Sequence, residues 1–238
     1  MTDPLRRSLL LASLALPAAC AVPSPRPGAP LPADSVRQRT PRPGERWHYA
    51  SRNGYNTVGR GTVVVEYREE TGRQVFEWRD PDGGSLGSEV IDDQGRLLQD
   101  PAYGPPGIRF EDPVPWLPIP PATGAITFVR THYRIARDSG RYDWADHRRV
   151  GALQTIRVPA GEFACLPIER QIRLGHPDFT RIDPYRHDVA WYAPELGRWV
   201  RREWRGWYYV PNDRSLSRLE EDWRIWELTR HDAAPIAG

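Results

Sequence analysis

At 238 residues the chain is long enough for one domain with a sizeable core. Its formal net charge of +2 offers no basic excess for nucleic acid, and no acidic run marks a solvating tail. Lysine is absent, so all 33 basic side chains are arginine; their spread along the whole chain reads as GC-rich codon usage rather than as a cluster selected to capture phosphate or carboxylate.

The N-terminus carries an address. Arg6 and Arg7 form a charged start, Leu9 to Leu16 an apolar stretch, and Pro17 to Ala21 a small-residue cleavage zone, so residues 1–21 read as a secretory signal peptide. The apolar stretch is shorter than the roughly 20 residues a permanent membrane helix needs. Cys20 follows Ala18-Ala19 and resembles the cysteine of a bacterial lipoprotein cleavage site, although Leu16 stands one position further back than usual. Acylation of Cys20 is therefore expected, with the membrane as a partner through that lipid and the periplasmic side of the outer membrane as the location. The Arg6-Arg7-Ser8-Leu9-Leu10 run also resembles a twin-arginine export signal. After processing only Cys165 is left inside the domain, so no internal disulfide forms and the core alone must hold the fold. Flanked by Phe163 and Leu166, Cys165 reads as a small buried hydrophobe.

Residues 22–43 are proline-rich and almost free of large apolar side chains, a composition that gives an extended tether. The domain is expected over 44–230. Glu45 to Arg52, Val58 to Glu70, Gln74 to Arg79, Leu86 to Ile91 and Arg96 to Leu98 are short strands divided by Thr71-Gly72, Asp80 to Gly84 and Asp92 to Gly95 turns. From Asp100 to Thr123 prolines recur, and the missing amide donors argue against a helix or a central strand. This stretch reads as a long ordered loop with Trp116, Leu117 and Ile119 tucked under the sheet. Strand patterns resume at Ile126 to Ala136, Tyr142 to Val158 and Phe163 to Leu174, the last with Arg170 interrupting an apolar face of Leu166, Ile168, Ile172 and Leu174. Residues 216–230 fit a helix by spacing, but their Trp, Ile and Thr favour a closing strand; 231–238 is a flexible tail. The expected fold is all-β: a single, strongly curved, half-barrel-like antiparallel sheet with the proline-rich loop packed on it.

The densest aromatic stretch is Asp188 to Tyr209. Pro194 and Gly197 make the turn between its two strands. Pairing Ala193 with Arg198 places Tyr192 opposite Trp199, Trp191 opposite Val200 and Val189 opposite Arg202. Val189, Trp191, Val200 and Trp204 then form the core face. Tyr192, Trp199 and Arg201 form the other face, the candidate ligand-binding residues.

With the Val158-Pro159-Ala160-Gly161-Glu162-Phe163 turn and the Trp191 to Val200 hairpin, the chain resembles a family of exported, β-rich bacterial proteins, several of them lipoproteins. Its members show a V-P-A-G-x-F turn followed by a W-Y-x-P-x-x-G hairpin. The resemblance implies an all-β envelope domain and no reaction.

Chemistry-bearing patterns are sparse. Gly83-Gly84-Ser85-Leu86-Gly87 matches G-x-S-x-G, yet a nucleophile elbow needs a helix after the serine and here strands flank it. Asp143, Asp146 and His147, or His187 and Asp188, lack any metal-ligand spacing. No catalytic residue, metal or cofactor is expected. The leading reading is a non-catalytic envelope protein that binds or scaffolds, with a lipid or other amphiphile as ligand. A hydrolase using Ser85 and a carbohydrate- or protein-binding module are the alternatives.

Overall fold

The computed structural model describes residues 39–103, 107–117, 123–136, 138–212 and 215–234. Cys20, the signal peptide, most of the tether and Ile119 lie outside them.

Period-2 alternation of apolar and polar side chains runs from Arg46 to Asp232 and builds strand after strand. The strands are β1 (Arg46–Asn53), β2 (Gly59–Glu70), β3 (Arg73–Arg79), β4 (Ser85–Asp92), β5 (Arg96–Asp100), β6 (Ile108–Pro115), β7 (Ile126–Ile135), β8 (Tyr142–Val150), β9 (Gln154–Val158), β10 (Gly161–Leu174), β11 (Ile182–Ala193), β12 (Arg198–Pro211), β13 (Leu216–Glu220) and β14 (Arg224–Asp232). A 3-10 turn, Pro101–Tyr103, follows β5. Each strand from β1 to β8 pairs with the next, β8 pairs with β10, and β10 leads through β11 to β12.

The sheet does not stop as a half-barrel. β14 pairs with β1 on one side and with β12 on the other, and β12 also pairs with β11. Twelve antiparallel strands therefore close into a barrel, which removes the open edges a curved sheet would expose. The closing strand comes from the expected place, since 216–230 is strand and not helix, although it divides into β13 and β14 and runs on to Asp232. The closing pair Arg46 and Asp232 is separated by nearly the whole domain, so no local pattern announces it. The tip of the β9–β10 hairpin seals the seam where β12 and β14 part, with the Ala160 amide donating to the Leu228 carbonyl at 3.0 Å.

The proline-rich stretch is also corrected. β6 runs through it, but β6 pairs with β7 only from Ile108 to Phe110. Pro113 and Pro115 fall beyond that point, where no β7 partner asks for the missing amide. Trp116 and Leu117 are buried, as expected.

The aromatic hairpin keeps its turn and loses its register. Ala193 pairs with Arg198 and Tyr192 with Trp199, but a bulge then sets Trp191 opposite Arg201 and Val189 opposite Glu203. Val200 is the extra residue, so every position before Tyr192 changes face relative to the expected pairing. Tyr192 and Trp199 point inward at 4% and 1% exposure, with Asp188, Ala190, Arg202 and Trp204, while Val189 and Trp191 are only half-buried. Outward positions such as Arg52, Glu66, Glu169, Arg173 and Glu203 are charged and exposed or half-buried, the reverse of a lipid-facing barrel wall.

The described chain enters at the β11–β12 turn. The Arg39 amide donates to the Pro194 carbonyl at 2.9 Å, and Arg39 pairs with the fully buried Glu45. Burial raises the Glu45 pKa, but hydrogen bonds from Arg39, the Arg42 amide and His231 more than offset it. Gly197 in the turn has φ +64°, and a Cβ there would lie 2.4 Å from the Arg39 carbonyl oxygen. Gly197→Ala is therefore expected to lower unfolding free energy by about 2 kcal/mol and to speed hydrogen exchange of residues 39–45, read by mass spectrometry. Unchanged exchange there would show that this turn does not anchor the entering segment.

Candidate functional site

A twelve-stranded wall encloses more lumen than aliphatic side chains fill, since barrel diameter grows with strand number. Here tryptophan and arginine fill it. Seven of the ten tryptophans, at 47, 78, 116, 144, 199, 204 and 226, are buried, together with Arg148, Arg170, Arg198 and Arg202.

Alternation places these charges inward. On β8, Trp144, Asp146, Arg148 and Val150 share the buried side, and on β11 so do Arg186, Asp188 and Ala190. They join into a chain of alternating charge. Asp146 Oδ2 accepts from Arg148 Nη2 at 2.6 Å and from Arg170 Nε and Nη2 at 3.0 and 2.8 Å. Arg170 Nη1 reaches Asp188 at 3.5 Å, and Arg202 Nη2 donates to Asp188 at 2.7 Å and to Asp100 at 2.9 Å. β12 and β5 are not neighbours in the barrel, so Arg202–Asp100 crosses the lumen. So does Arg198–Glu89, from β12 to β4, with two parallel bonds of 2.8 and 3.0 Å. Aromatic faces complete the solvation of the cations: Arg198 lies 4.1 Å from the Phe76 ring centre, and Arg202 5.2 Å and Arg170 5.5 Å from that of Trp116.

Burial raises the Asp188 pKa, but Arg202 and Arg170 more than offset it and hold the carboxyl below the usual range; Asp146 is held low in the same way by Arg148 and Arg170. Burial pulls the Arg148 pKa down more than Asp146 raises it, and among the described residues Arg148 Nε and Nη1 have no hydrogen-bond partner.

The lumen opens at the end away from the β11–β12 turn, as a cavity of about 440 Å³ lined by Tyr103, Arg181, Arg186, Trp204, Glu221 and Arg224 among others. Asp100 Oδ1 accepts from the Ala102 amide at 2.9 Å, an Asx-type turn that aims the Tyr103 hydroxyl at Asp188, to which it donates at 3.0 Å. Burial, then the Asp188 charge, push that hydroxyl well above its ordinary pKa. Arg186 is held between the rings of Tyr103 and Trp204, 4.7 and 4.3 Å from their centres. Its Nε donates to Glu221 Oε2 at 2.8 Å, while Arg181 Nη1 donates to Oε1 at 2.9 Å. Opposite Arg186 stands Gly206. A Cβ there would lie 2.7 Å from Glu221 Oε2 and 2.9 Å from Arg186 Cγ, so the missing side chain makes room for this pair.

The residues singled out from sequence are scattered. Tyr192 and Trp199 line a cavity of about 70 Å³ near the turn, with Trp116, Leu117 and Arg198. Arg201 is on the outer face, 5.0 Å from the Trp191 ring centre and paired with Glu203 at 2.9 Å, and it does not join them. Ser85 opens β4 in a hairpin, and its Oγ accepts from the Gly87 amide at 3.3 Å. Asp146 turns into the lumen while Asp143 and His147 are exposed. Cys165 is fully buried, which pushes its thiol pKa up to about 12. Arg170 lies on the apolar face where the sequence places it, but its ion pairs and the inward Arg148, Arg186, Arg198 and Arg202 are not read from the sequence, although Arg148 and Arg186 share the parity of buried neighbours in their strands.

Glu89→Leu alone leaves Arg198 buried and unpaired, and unfolding free energy should fall by about 3–5 kcal/mol. The double variant Glu89→Leu/Arg198→Met should recover most of that loss in denaturant titration. Asp146 and Asp188 have lowered folded-state pKa values, so their stabilisation is complete above the unfolded value of about 3.9 and is lost as pH falls through the folded values. Stability should fall below about pH 4, and less steeply in Asp188→Asn.

No protein-family model matches the sequence, and no curated protein sequence matches it. Among solved structures, the chain is similar to a Bacteroides fragilis protein described as exported with a YmcC-like fold, at 16% identity over 83% of this chain and 99% of that one, with a TM-score of 0.52. It is also similar to a Parabacteroides distasonis protein described as a lipoprotein, at 14% identity over 83% of this chain and 100% of that one, with a TM-score of 0.50. At these identities the likeness is one of fold alone.

Proposed function

We propose that the protein is an exported, non-catalytic binding protein of the bacterial envelope, tethered by a lipid on Cys20, that offers the open mouth of its barrel to a ligand. One observation carries the reading: Arg39, the first described residue, sits at one end of the barrel and the cavity opens at the other. From Arg198 to Gly206 along β12 is roughly 25 Å at about 3.3 Å per residue. A tether at the turn end therefore leaves the mouth clear of the surface it is anchored to. The fold shared with proteins described as exported and as a lipoprotein supports the address. The filled lumen favours a ligand held at the mouth over an acyl chain drawn into the barrel.

Radiolabelled palmitate is expected to enter the wild type and not Cys20→Ala, and the variant should move from the membrane to the soluble periplasmic fraction. An unlabelled wild type would remove the anchor from the proposal. Native mass spectrometry of the protein taken from its host envelope should show a small adduct; a bare mass in every preparation counts against a binding role.

A further inference from the structure

At the mouth, hydrogen-bond donors outnumber the acceptors that meet them. Three carboxylates line it, and each is engaged: Glu220 by Arg218 at 2.8 Å, Asp222 by Arg60 at 2.8 Å, and Glu221 by both Arg181 and Arg186. The donors are in excess. Arg186 lines the cavity, and among the described residues its carboxylate hydrogen bond is made by Nε. Arg224 lines the same cavity, reaches Asp222 only at 3.7 Å, and has a buried Nε with no partner among the described residues. Trp204, 6% exposed and directly opposite Arg224 in the β12–β14 pairing, has a buried indole Nε1–H with no partner among the described residues. A buried donor left unmade costs more than a typical hydrogen bond returns. Two such donors beside a second cation, Arg186, around one cavity call for a molecule that brings acceptors and negative charge.

Resting on the binding role set out above, we propose that the mouth is a site for an oxyanion, a carboxylate or phosphate group on a small polar molecule, held by Arg186, Arg224 and the Trp204 indole. The guanidinium fork of Arg186 matches two oxygens of either group, and the Tyr103 and Trp204 rings that sandwich it fix its plane. Gly206 keeps Arg186 and Glu221 in place from the opposite strand. About 440 Å³ is room for a molecule larger than the bare anion, within the range of small-molecule sites, with the Tyr208 ring as a further wall. Burial, followed by the nearby Arg60, lowers the Arg224 pKa, the strain of a surplus cation that an incoming anion relieves.

The test titrates the full chain with glucose 6-phosphate, with gluconate and with uncharged glucose, followed by calorimetry and tryptophan fluorescence. Saturable binding is expected for one or both anions and not for glucose, and which anion binds identifies the group. Arg224→Gln should weaken it about tenfold or more, and Trp204→Phe, which keeps the ring and removes the donor, about threefold or more, with thermal midpoints close to wild type. Gly206→Ala, which sets a Cβ against the Tyr185 carbonyl oxygen as well as Glu221 and Arg186, should weaken it as well, with a lowered thermal midpoint. Anion binding that survives all three substitutions, glucose binding equally well, or no anion binding overturns the site. If the native mass spectrum still shows an adduct in that case, the binding role stands and only its chemistry was misassigned; a bare mass as well would overturn both.

Discussion

Two ion pairs that cross the lumen, Arg198–Glu89 and Arg202–Asp100, tie β12 to the opposite wall. Burying a charge costs several kcal/mol, and the attraction between partners repays it only with good geometry and further hydrogen bonds. The geometry is good in both, and Arg202 has the further bonds as well, whereas among the described residues Arg198 Nε has no partner. Arg198 uses a parallel pair of bonds, and Arg202 divides its donors between Asp188 beside it and Asp100 across from it. The arrangement is complete only when the barrel is shut, so the pairs reward closure in the one register that brings the strands together.

The absence of lysine acquires a structural meaning at these positions. Codon bias still accounts for the arginine count over the chain, but a point charge on a flexible stem would not bridge two carboxylates and lie on an aromatic face at once. The planar guanidinium does both, at Arg170 against Trp116 and Trp144 and at Arg202 against Trp116 and Tyr103. Tryptophan and arginine thus act together as lumen filling: one supplies volume and the other charge balance across a space too wide for leucine or valine.

The same network separates the barrel's two ends. Toward the turn, the buried Glu45 gathers Arg39, the Arg42 amide and His231, and ties the entering chain to the wall. Toward the mouth, the charge chain comes to the surface at Tyr103 and Arg186, where the alternation of partners ends with donors left over. A ligand there would join a pre-arranged array instead of organising a loose one, which is how a rigid β scaffold keeps the ordering cost of binding low.

Much of the fold was legible in the residues. The turns at Gly72, Gly95 and Gly197, the meander from β1 to β5, the strand character of the C-terminal segment and the burial of Trp116, Leu117 and Cys165 all follow from period-2 patterning and turn chemistry. The candidate site was not legible in the same way. Tyr192 and Trp199 were placed on an open face because a single inserted residue, Val200, reverses strand parity, and a bulge leaves no mark in composition. Prolines at 113 and 115 concealed β6 because the rule against them assumes a partner on both sides. By itself the sequence determined an all-β chain of short antiparallel strands, since alternation and turns act between near neighbours. Only the tertiary structure decided that the sheet closes, which parity faces the lumen and which charges meet across it, because those depend on pairings such as Arg46 with Asp232 and Arg202 with Asp100 between residues that share no local context.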